Sequence, residues 1–70
     1  MMQKMMLNER ETEILDLVAV GKSYKKVAQI LALSLPTIKF YMRTAREKLG
    51  AQNSNHAIAI FVENRAVKQI

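Results

Sequence analysis

The sequence predicts an all-α domain of four short helices joined by tight turns. Apolar residues recur at helical spacing in four stretches of the chain. Asparagine or serine stands at the start of each stretch and glycine follows two of them, which is the usual chemistry of helix starts and ends. The chain has 70 residues, enough for one small domain, and 50% of them are hydrophobic, which argues against a disordered chain.

The first helix is predicted over residues 9–20. Asn8 can cap its N-terminus, and Glu11 stands three residues later in the position of a capping box. Gly21 is expected to end the helix, because glycine adopts the left-handed backbone conformation at low cost. The residues predicted to face the core are Ile14, Leu17 and Val18, with Leu15 beside them.

The second helix is predicted over residues 24–31, with Ser23 as its cap and residues 31–34 as the following turn. Lys25 and Lys26 stand in its first turn, where the helix dipole disfavours positive charge by roughly a few tenths of a kcal/mol. A phosphate beside this helix end would offset that cost, since helix N-termini and lysine both attract anions. The residues predicted to face inward are Val27, Ile30 and Leu31, with Ala28 allowing close packing.

The third helix is predicted over residues 34–49. Ser34 can cap it, Pro36 fits the first turn because a backbone N–H there has no helical partner, and Gly50 closes it. At about 100° per residue, one side carries apolar side chains and the adjoining side carries long basic ones. The apolar side is formed by Ile38, Met42, Ala45 and Leu49, and the basic side by Lys39, Arg43 and Arg46, with Phe40 next to it.

The fourth helix is predicted over residues 54–66, with Asn53 as its cap. It carries more apolar residues than one buried stripe needs. We expect at least half of them to pack on the first helix, and the surplus is available to a partner subunit. These apolar residues are Ala57, Ile58, Ile60, Phe61 and Val62.

The positive charge lies in the middle of the chain. The net charge is +5, but residues 22–50 hold seven basic residues against one acidic residue, whereas residues 1–21 hold two against four. A localised basic patch attracts polyanions such as nucleic acid or an acidic membrane surface. From charge alone, a basic protein with an ordinary surface is an equally good interpretation.

Several function classes are disfavoured by composition. The chain has no cysteine and a lone His56, so we expect no disulfide, no metal site and no cofactor. The "GKS" at residues 21–23 lacks the glycine that a phosphate loop needs five residues earlier, where Asp16 stands, and no catalytic arrangement suggests an enzyme. No apolar run approaches the roughly 20 residues of a membrane span. The start of the chain does not match a secretory signal, so a cytoplasmic location is expected.

The basic side of the third helix suits duplex DNA. Arginine and lysine can donate to guanine O6 and N7 or to phosphate oxygens, and an α-helix fits the major groove. The N-terminal half of such a helix lies nearest the base edges, which favours Lys39 and Arg43 for bases and Arg46 for the backbone. The alternatives are a solvated helix face or a membrane surface, and the latter is weakened by the lack of a broad apolar face.

Residues 7–60 also resemble the LuxR/GerE-type helix-turn-helix domain. The segment "TIKFYMRTAREKLGAQN" is most similar to the domains at the end of quorum-sensing regulators. The turn departs from the family pattern, because Ala32-Leu33 replaces its glycine, and Phe40 is larger than the usual valine. The matching pieces are Leu7, Glu11, Glu13-Ile14-Leu15, Val18-Ala19, Gly21-Lys22-Ser23, Val27-Ala28, Leu31, Ser34, Thr37-Ile38-Lys39, Lys48-Leu49-Gly50 and Ala57.

The resemblance implies a four-helix domain that binds promoter DNA, usually as a symmetric dimer, with the third helix in the major groove and the fourth at the dimer contact. It implies base contacts at Lys39, Phe40 and Arg43. It implies phosphate contacts at Ser23, Lys26, Thr37 and Tyr41, to which Lys25 and Arg46 are added because of their charge. The dimer contacts it implies fall at Asn55, Ile58, Ala59 and Val62.

The expected organisation is an N-terminal extension at residues 1–6, a DNA-binding domain at residues 7–67 and a tail at residues 68–70. The expected partners are double-stranded DNA, a second copy through the fourth helix, and RNA polymerase. A second hypothesis is a protein-interaction module that pairs with a full-length relative and blocks it. The short extension leaves open a free-standing regulator or a domain taken from a longer one.

Overall fold

Four α-helices make up the part of the chain that the computed structural model describes, namely residues 6–68, with side chains to residue 65. No strand occurs within this part. All four helices begin where the sequence predicts, within one residue; the first ends one residue earlier and the fourth two residues later than predicted. The helices are α1 (Glu9–Ala19), α2 (Tyr24–Leu31), α3 (Leu35–Leu49) and α4 (Ser54–Lys68).

Each helix begins at a polar side chain that accepts a hydrogen bond from the first turn. The predicted capping box of α1 is confirmed: the Asn8 Oδ1 atom accepts from the backbone N–H of Glu11 at 2.8 Å, and the Glu11 carboxylate accepts from the backbone N–H of Asn8 at 2.9 Å. Pro36 lies in the first turn of α3, as predicted. The other predicted caps are also confirmed: Ser23, Ser34 and Asn53 accept from the backbone N–H groups of Lys26, Thr37 and His56, respectively.

Three helices end in the same left-handed turn. Gly21 (φ 99°), Ala32 (φ 59°) and Gly50 (φ 68°) take a positive φ after α1, α2 and α3. The next backbone N–H then donates to a carbonyl five residues earlier, as in the bond of 2.9 Å from Leu33 to Ala28. Alanine therefore occupies, in the turn between α2 and α3, a conformation that glycine adopts without strain.

We expect Ala32→Gly to raise the free energy of unfolding by about 1 kcal/mol, because it removes the strain of a left-handed alanine. Gly50→Ala is the matched reverse change and should lower it by about the same amount. A Cβ added at Gly50 meets no atom within 4 Å, so its effect isolates the backbone conformation. Urea denaturation of both variants checks this. A destabilised Ala32→Gly variant would show that the turn does not strain the alanine.

The core is centred on α3, which packs on the other three helices. Its predicted apolar side is confirmed. Of the residues predicted for α1, Ile14 and Leu15 are fully buried, while Leu17 and Val18 lie at the edge of the core. The buried hydrophobic residues are Ile14, Leu15, Val27, Ala28, Ile38, Met42, Ala45, Leu49, Ala57 and Phe61.

The inward position predicted for Ile30 is wrong, since its side chain is 47% exposed. The short α2 buries Val27 and Ala28 against the core. At about 100° per residue, Ile30 lies roughly 200° around the helix from Ala28 and so points away from the core. In a helix of only eight residues, the apolar pattern does not separate Ile30 from the buried stripe.

The fourth helix packs on both α1 and α3. Ala57 and Phe61 are buried, and Ile58 and Ile60 pack against the core from its edge, so most of the apolar surplus is used within the domain. Arg65 links α4 to α1, because its guanidinium forms an ion pair with Asp16. The same guanidinium lies 5.3 Å from the centroid of the Phe61 ring within α4. Val62 remains exposed.

Candidate nucleic-acid interface

The exposed side of α3 carries the predicted basic residues. Lys39 and Arg43 are exposed and Arg46 is half-buried. None of the ion pairs formed among residues 6–65 involves these three side chains, and Glu47 does not neutralise Arg43 there. The charge that the sequence predicted for this side of α3 therefore faces solvent without a counterion among residues 6–65.

A cleft of about 480 Å³ lies between this basic side of α3 and the first residues of α2 and α4. Tyr24, the first residue of α2, donates a hydrogen bond from its Oη atom to the Oγ atom of Ser54, the first residue of α4, at 3.1 Å. The partial positive charges of both helix N-termini therefore add to those of the cationic side chains. The residues that line the cleft are Tyr24, Pro36, Lys39, Phe40, Met42, Arg43, Arg46 and Ser54.

Tyr24 and Ser54 were missed by the sequence analysis. Both are the first residue of a helix, but they lie 30 positions apart and nothing in their local pattern links them. Their hydrogen bond exists only because α2 and α4 both pack on α3. The cleft is thus a product of tertiary packing around the basic helix.

Aromatic side chains extend the exposed side of α3. The Phe40 ring is 51% exposed, and the Tyr41 ring meets it edge-on with centroids 5.5 Å apart and planes at 68°. The guanidinium carbon of Arg43 lies 6.0 Å from the Phe40 centroid, within range of a cation–π interaction. The predicted base-contacting residues Lys39, Phe40 and Arg43 therefore share one solvent-facing surface, which we call the α3 outer surface.

The predicted phosphate contacts fall at two helix starts and along α3. Ser23, Lys25 and Lys26 are exposed at the start of α2. Because the Ser23 hydroxyl oxygen accepts the capping hydrogen bond, its O–H proton remains available as a donor. Thr37 is half-buried in the first turn of α3, and its Oγ1 atom lies 2.8 Å from the Oγ atom of Ser34. Tyr41 is half-buried beside Phe40.

Residues 1–61 match the family model described as bacterial regulatory proteins, luxR family. The chain belongs to the luxR family. Its turn between α2 and α3, and the basic side of α3, are thus features of a luxR-family domain. No solved structure matches this luxR-family chain.

Individual relatives of this luxR-family chain are regulatory proteins by name. It is 37% identical over 65 residues to the transcriptional activator protein ExpR of Dickeya dadantii, covering 93% of the chain and 26% of that protein. It is 45% identical over 58 residues to the transcriptional activator protein CarR of Pectobacterium carotovorum, covering 83% of the chain and 24% of that protein. It is 42% identical over 52 residues to the transcriptional regulatory protein DesR of Bacillus subtilis, covering 74% of the chain and 26% of that protein. The chain spans about a quarter of the length of these curated relatives.

A buried carboxylate holds α3 against α1 in this luxR-family domain. The Glu11 side chain is 1% exposed and completes the capping box of α1. Its two oxygens also accept hydrogen bonds from the Thr44 hydroxyl at 2.6 Å and from the Lys48 ammonium at 2.9 Å. The capping box is visible in the sequence, but the contacts with α3 are not, because Thr44 and Lys48 lie 33 and 37 positions from Glu11 and carry no local signal.

The same contacts set the protonation of this carboxyl. Burial raises the pKa of Glu11, but hydrogen bonds from Thr44, the backbone N–H of Asn8 and Lys48, together with the lysine charge, lower it by more. The net result is a pKa below the ordinary value for glutamate. Glu11 is therefore ionised at neutral pH although its side chain is buried, and Lys48 is engaged inside the domain.

The predicted dimer contacts of the luxR-family chain lie along one line of α4. Asn55, Ile58, Ala59 and Val62 follow helical spacing, so they share one side of the helix. Asn55, Ala59 and Val62 are exposed, and Ile58 is half-buried against the core. The large apolar side chain exposed on this line is that of Val62, at 47%.

A membrane-spanning helix and a metal centre are both absent from the part of the chain that the structure describes. No helix there is long and apolar enough to cross a bilayer. No three histidine, cysteine or acidic side chains there converge as metal ligands. The chemistry gathered on the α3 outer surface and in the adjoining cleft is cationic, hydroxylic and aromatic.

Proposed function

We propose that the chain is a sequence-specific DNA-binding transcription regulator, with α3 in the major groove of duplex DNA. The observation that carries the proposal is the α3 outer surface, where Lys39 and Arg43 face solvent without a counterion among the described residues. Such side chains can donate to guanine O6 and N7. Family membership and the regulatory names of the relatives support the proposal.

The proposed orientation assigns each basic group a place on the duplex. The N-terminal half of α3 presents Lys39, Phe40 and Arg43 to the base edges. Arg46 follows one turn later, beside the cleft, where it can meet a phosphate. The phosphate contacts from the start of α2 and along α3 are assigned to Ser23, Lys25, Lys26, Thr37 and Tyr41.

We further propose a symmetric dimer in which α4 meets α4 of a second copy along Asn55, Ile58, Ala59 and Val62. Two copies of α3 would then enter the major groove about one helical turn apart, roughly 34–36 Å, on an operator with two-fold symmetry. In this proposal, residues 7–67 form the DNA-binding domain. The protein acts in the cytoplasm, and RNA polymerase is a further partner.

The exposed Val62 favours a second candidate function. The α4 line can pair with a full-length relative and block it, because the same residues serve either dimer. Sedimentation of the protein alone and with such a relative separates these cases. A strict monomer at high concentration, with no complex formed with the relative, would remove both the homodimer and the blocking function.

The DNA-binding proposal is tested by fluorescence anisotropy on a mixed-sequence duplex from low to moderate salt. We expect affinity to fall steeply with salt, with a slope of log K against log salt of about −0.9 for each phosphate neutralised. Lys25→Ala and Lys26→Ala should each make the slope shallower by about 1. Arg10→Ala is the control, because it removes the same charge from a residue already paired with Glu13 at 3.1 Å.

Absence of binding at the lowest salt would contradict the proposal. An equal change of slope for Arg10→Ala and Lys26→Ala would contradict the placement of α2 on the DNA backbone, since it would show that only total charge matters.

A further inference from the structure

An exposed aromatic ring lies beside the cationic side chains of the α3 outer surface, next to Arg43. Phe40 is 51% exposed, whereas the large apolar residues on the other side of α3 are buried. Most of the base edges in the major groove are hydrogen-bonding groups, and the apolar feature there is the 5-methyl group of thymine. A phenylalanine ring offers no hydrogen bond, so its natural contact on DNA is that methyl group.

The ring also contacts two neighbours on α3. Tyr41 meets it edge-on at 5.5 Å, and the Arg43 guanidinium carbon lies 6.0 Å from its centroid. A cation–π contact restrains the arginine before it meets DNA, which reduces the ordering cost on binding. Phe40 and Arg43 thus lie side by side before DNA binds, and a guanidinium restrained in this way is suited to a bidentate bond to guanine.

The spacing of the pair matches neighbouring base pairs. Residues three positions apart on a helix lie on nearly the same side and are separated by about 4.5 Å along its axis. Base pairs in a duplex follow one another at about 3.4 Å. The two side chains can therefore contact adjacent base pairs, one through a methyl group and the other through hydrogen bonds.

Building on the proposed DNA-binding function, we propose that Phe40 and Arg43 act together as a specificity element for a 5-methylpyrimidine beside a guanine. Phe40 packs on the 5-methyl group, and Arg43 bonds the O6 and N7 atoms of the guanine in the adjacent base pair. Thymine is the ordinary source of the methyl group, and 5-methylcytosine presents the same group at the same ring position. An operator bound by this chain accordingly carries a thymine next to a guanine in each half-site.

The test begins with selection of duplexes from a random library by the full chain, followed by synthesis of the enriched sequence. Replacing one thymine at a time by deoxyuridine removes only the methyl group. We expect about a fourfold loss of affinity at one thymine beside a guanine in each half-site, the effect of withdrawing one methyl-sized group from apolar contact. Replacing that thymine–adenine pair by cytosine–guanine should also weaken binding, and 5-methylcytosine there should recover about fourfold.

Protein variants assign the effect to the ring. Phe40→Ala should weaken binding to the thymine duplex. This variant should then bind the thymine and deoxyuridine duplexes with the same affinity, so that the effects of the two changes are not additive. Phe40→Leu should retain part of the discrimination because it keeps an apolar side chain. Thermal unfolding of both variants checks that they fold, which their exposed position leads us to expect.

The outcomes separate this inference from the function on which it rests. If the library yields no enriched sequence, sequence-specific DNA binding fails and this inference fails with it. If a sequence is enriched but no deoxyuridine substitution changes affinity, or if Phe40→Ala retains the discrimination, the specificity element is overturned while DNA binding stands.

Discussion

Replacing Glu11 by alanine is expected to lower the free energy of unfolding by about 3 kcal/mol, which is a large part of the stability of a small domain. The change removes a fully buried side chain and the acceptor of three hydrogen bonds. It leaves the backbone N–H of Asn8 and the hydroxyl of Thr44 without that acceptor. Lys48 contributes less to the loss, because its side chain is 37% exposed and can turn toward water.

Thermal or urea unfolding measures the effect, and the midpoint temperature should fall by roughly 10–25 °C for a domain of this size. Glu13→Ala is the matched control on the same helix, since Glu13 is 52% exposed and pairs with Arg10 at the surface. Its expected cost is below about 1 kcal/mol. Equal losses for the two variants would show that the contacts of Glu11 with α3 add nothing.

The Glu11 carboxyl also determines how the free energy of unfolding changes as the pH falls. Because the pKa of Glu11 is lowered in the folded protein, its contribution is fully present above the unfolded-state pKa, about 4.3. That contribution is lost as the pH falls through the lower, folded-state pKa. The difference in unfolding free energy between the wild type and Glu11→Gln should therefore be constant near neutrality and shrink in acid. A difference that grows in acid would contradict the lowered pKa.

The fold was predictable where the determinants are local. Asn8, Ser23, Ser34 and Asn53 cap their helices through hydrogen bonds to residues three positions away, so the side-chain chemistry is visible in the sequence. The buried side of α3 was predictable because 15 residues give several turns over which the apolar pattern repeats. The eight residues of α2 give only two turns, and the assignment of Ile30 failed there.

The candidate site was predictable in part for the same reason. Exposure of Lys39 and Arg43 follows from their position beside the buried stripe, which periodicity supplies. The hydrogen bond between Tyr24 and Ser54 and the contacts of Glu11 with α3 depend on how helices distant in sequence pack. A single sequence without its tertiary contacts holds no signal for such pairs.

The second large effect is expected on DNA affinity. Lys39→Ala and Arg43→Ala should each cost about 1–3 kcal/mol of specific binding, or about 5- to 150-fold in affinity for the selected operator. Each removes donors from the α3 outer surface that face base edges in the proposed orientation. Neither residue is buried, so both variants should keep the wild-type unfolding midpoint. Anisotropy titrations on the operator and on an unrelated duplex measure the change.

Lys26→Ala is the control for this effect. It removes one positive charge at the start of α2, and we expect it to weaken binding to both duplexes by a similar factor. The ratio of operator to unrelated affinity should therefore fall for Lys39→Ala and Arg43→Ala and hold for Lys26→Ala. An unchanged ratio for Lys39→Ala would remove that lysine from the base-contacting set.

The third helix separates the residues that hold the domain together from those proposed to choose its DNA. Its buried stripe, Ile38, Met42, Ala45 and Leu49, supplies core packing, while Lys39, Phe40 and Arg43 lie exposed outside the core. Substitutions at the three outer positions can accumulate without opening a cavity in the core. Single mutations at these positions can thus change the operator preference of a duplicated copy of such a domain. Each variant along that evolutionary path would still fold.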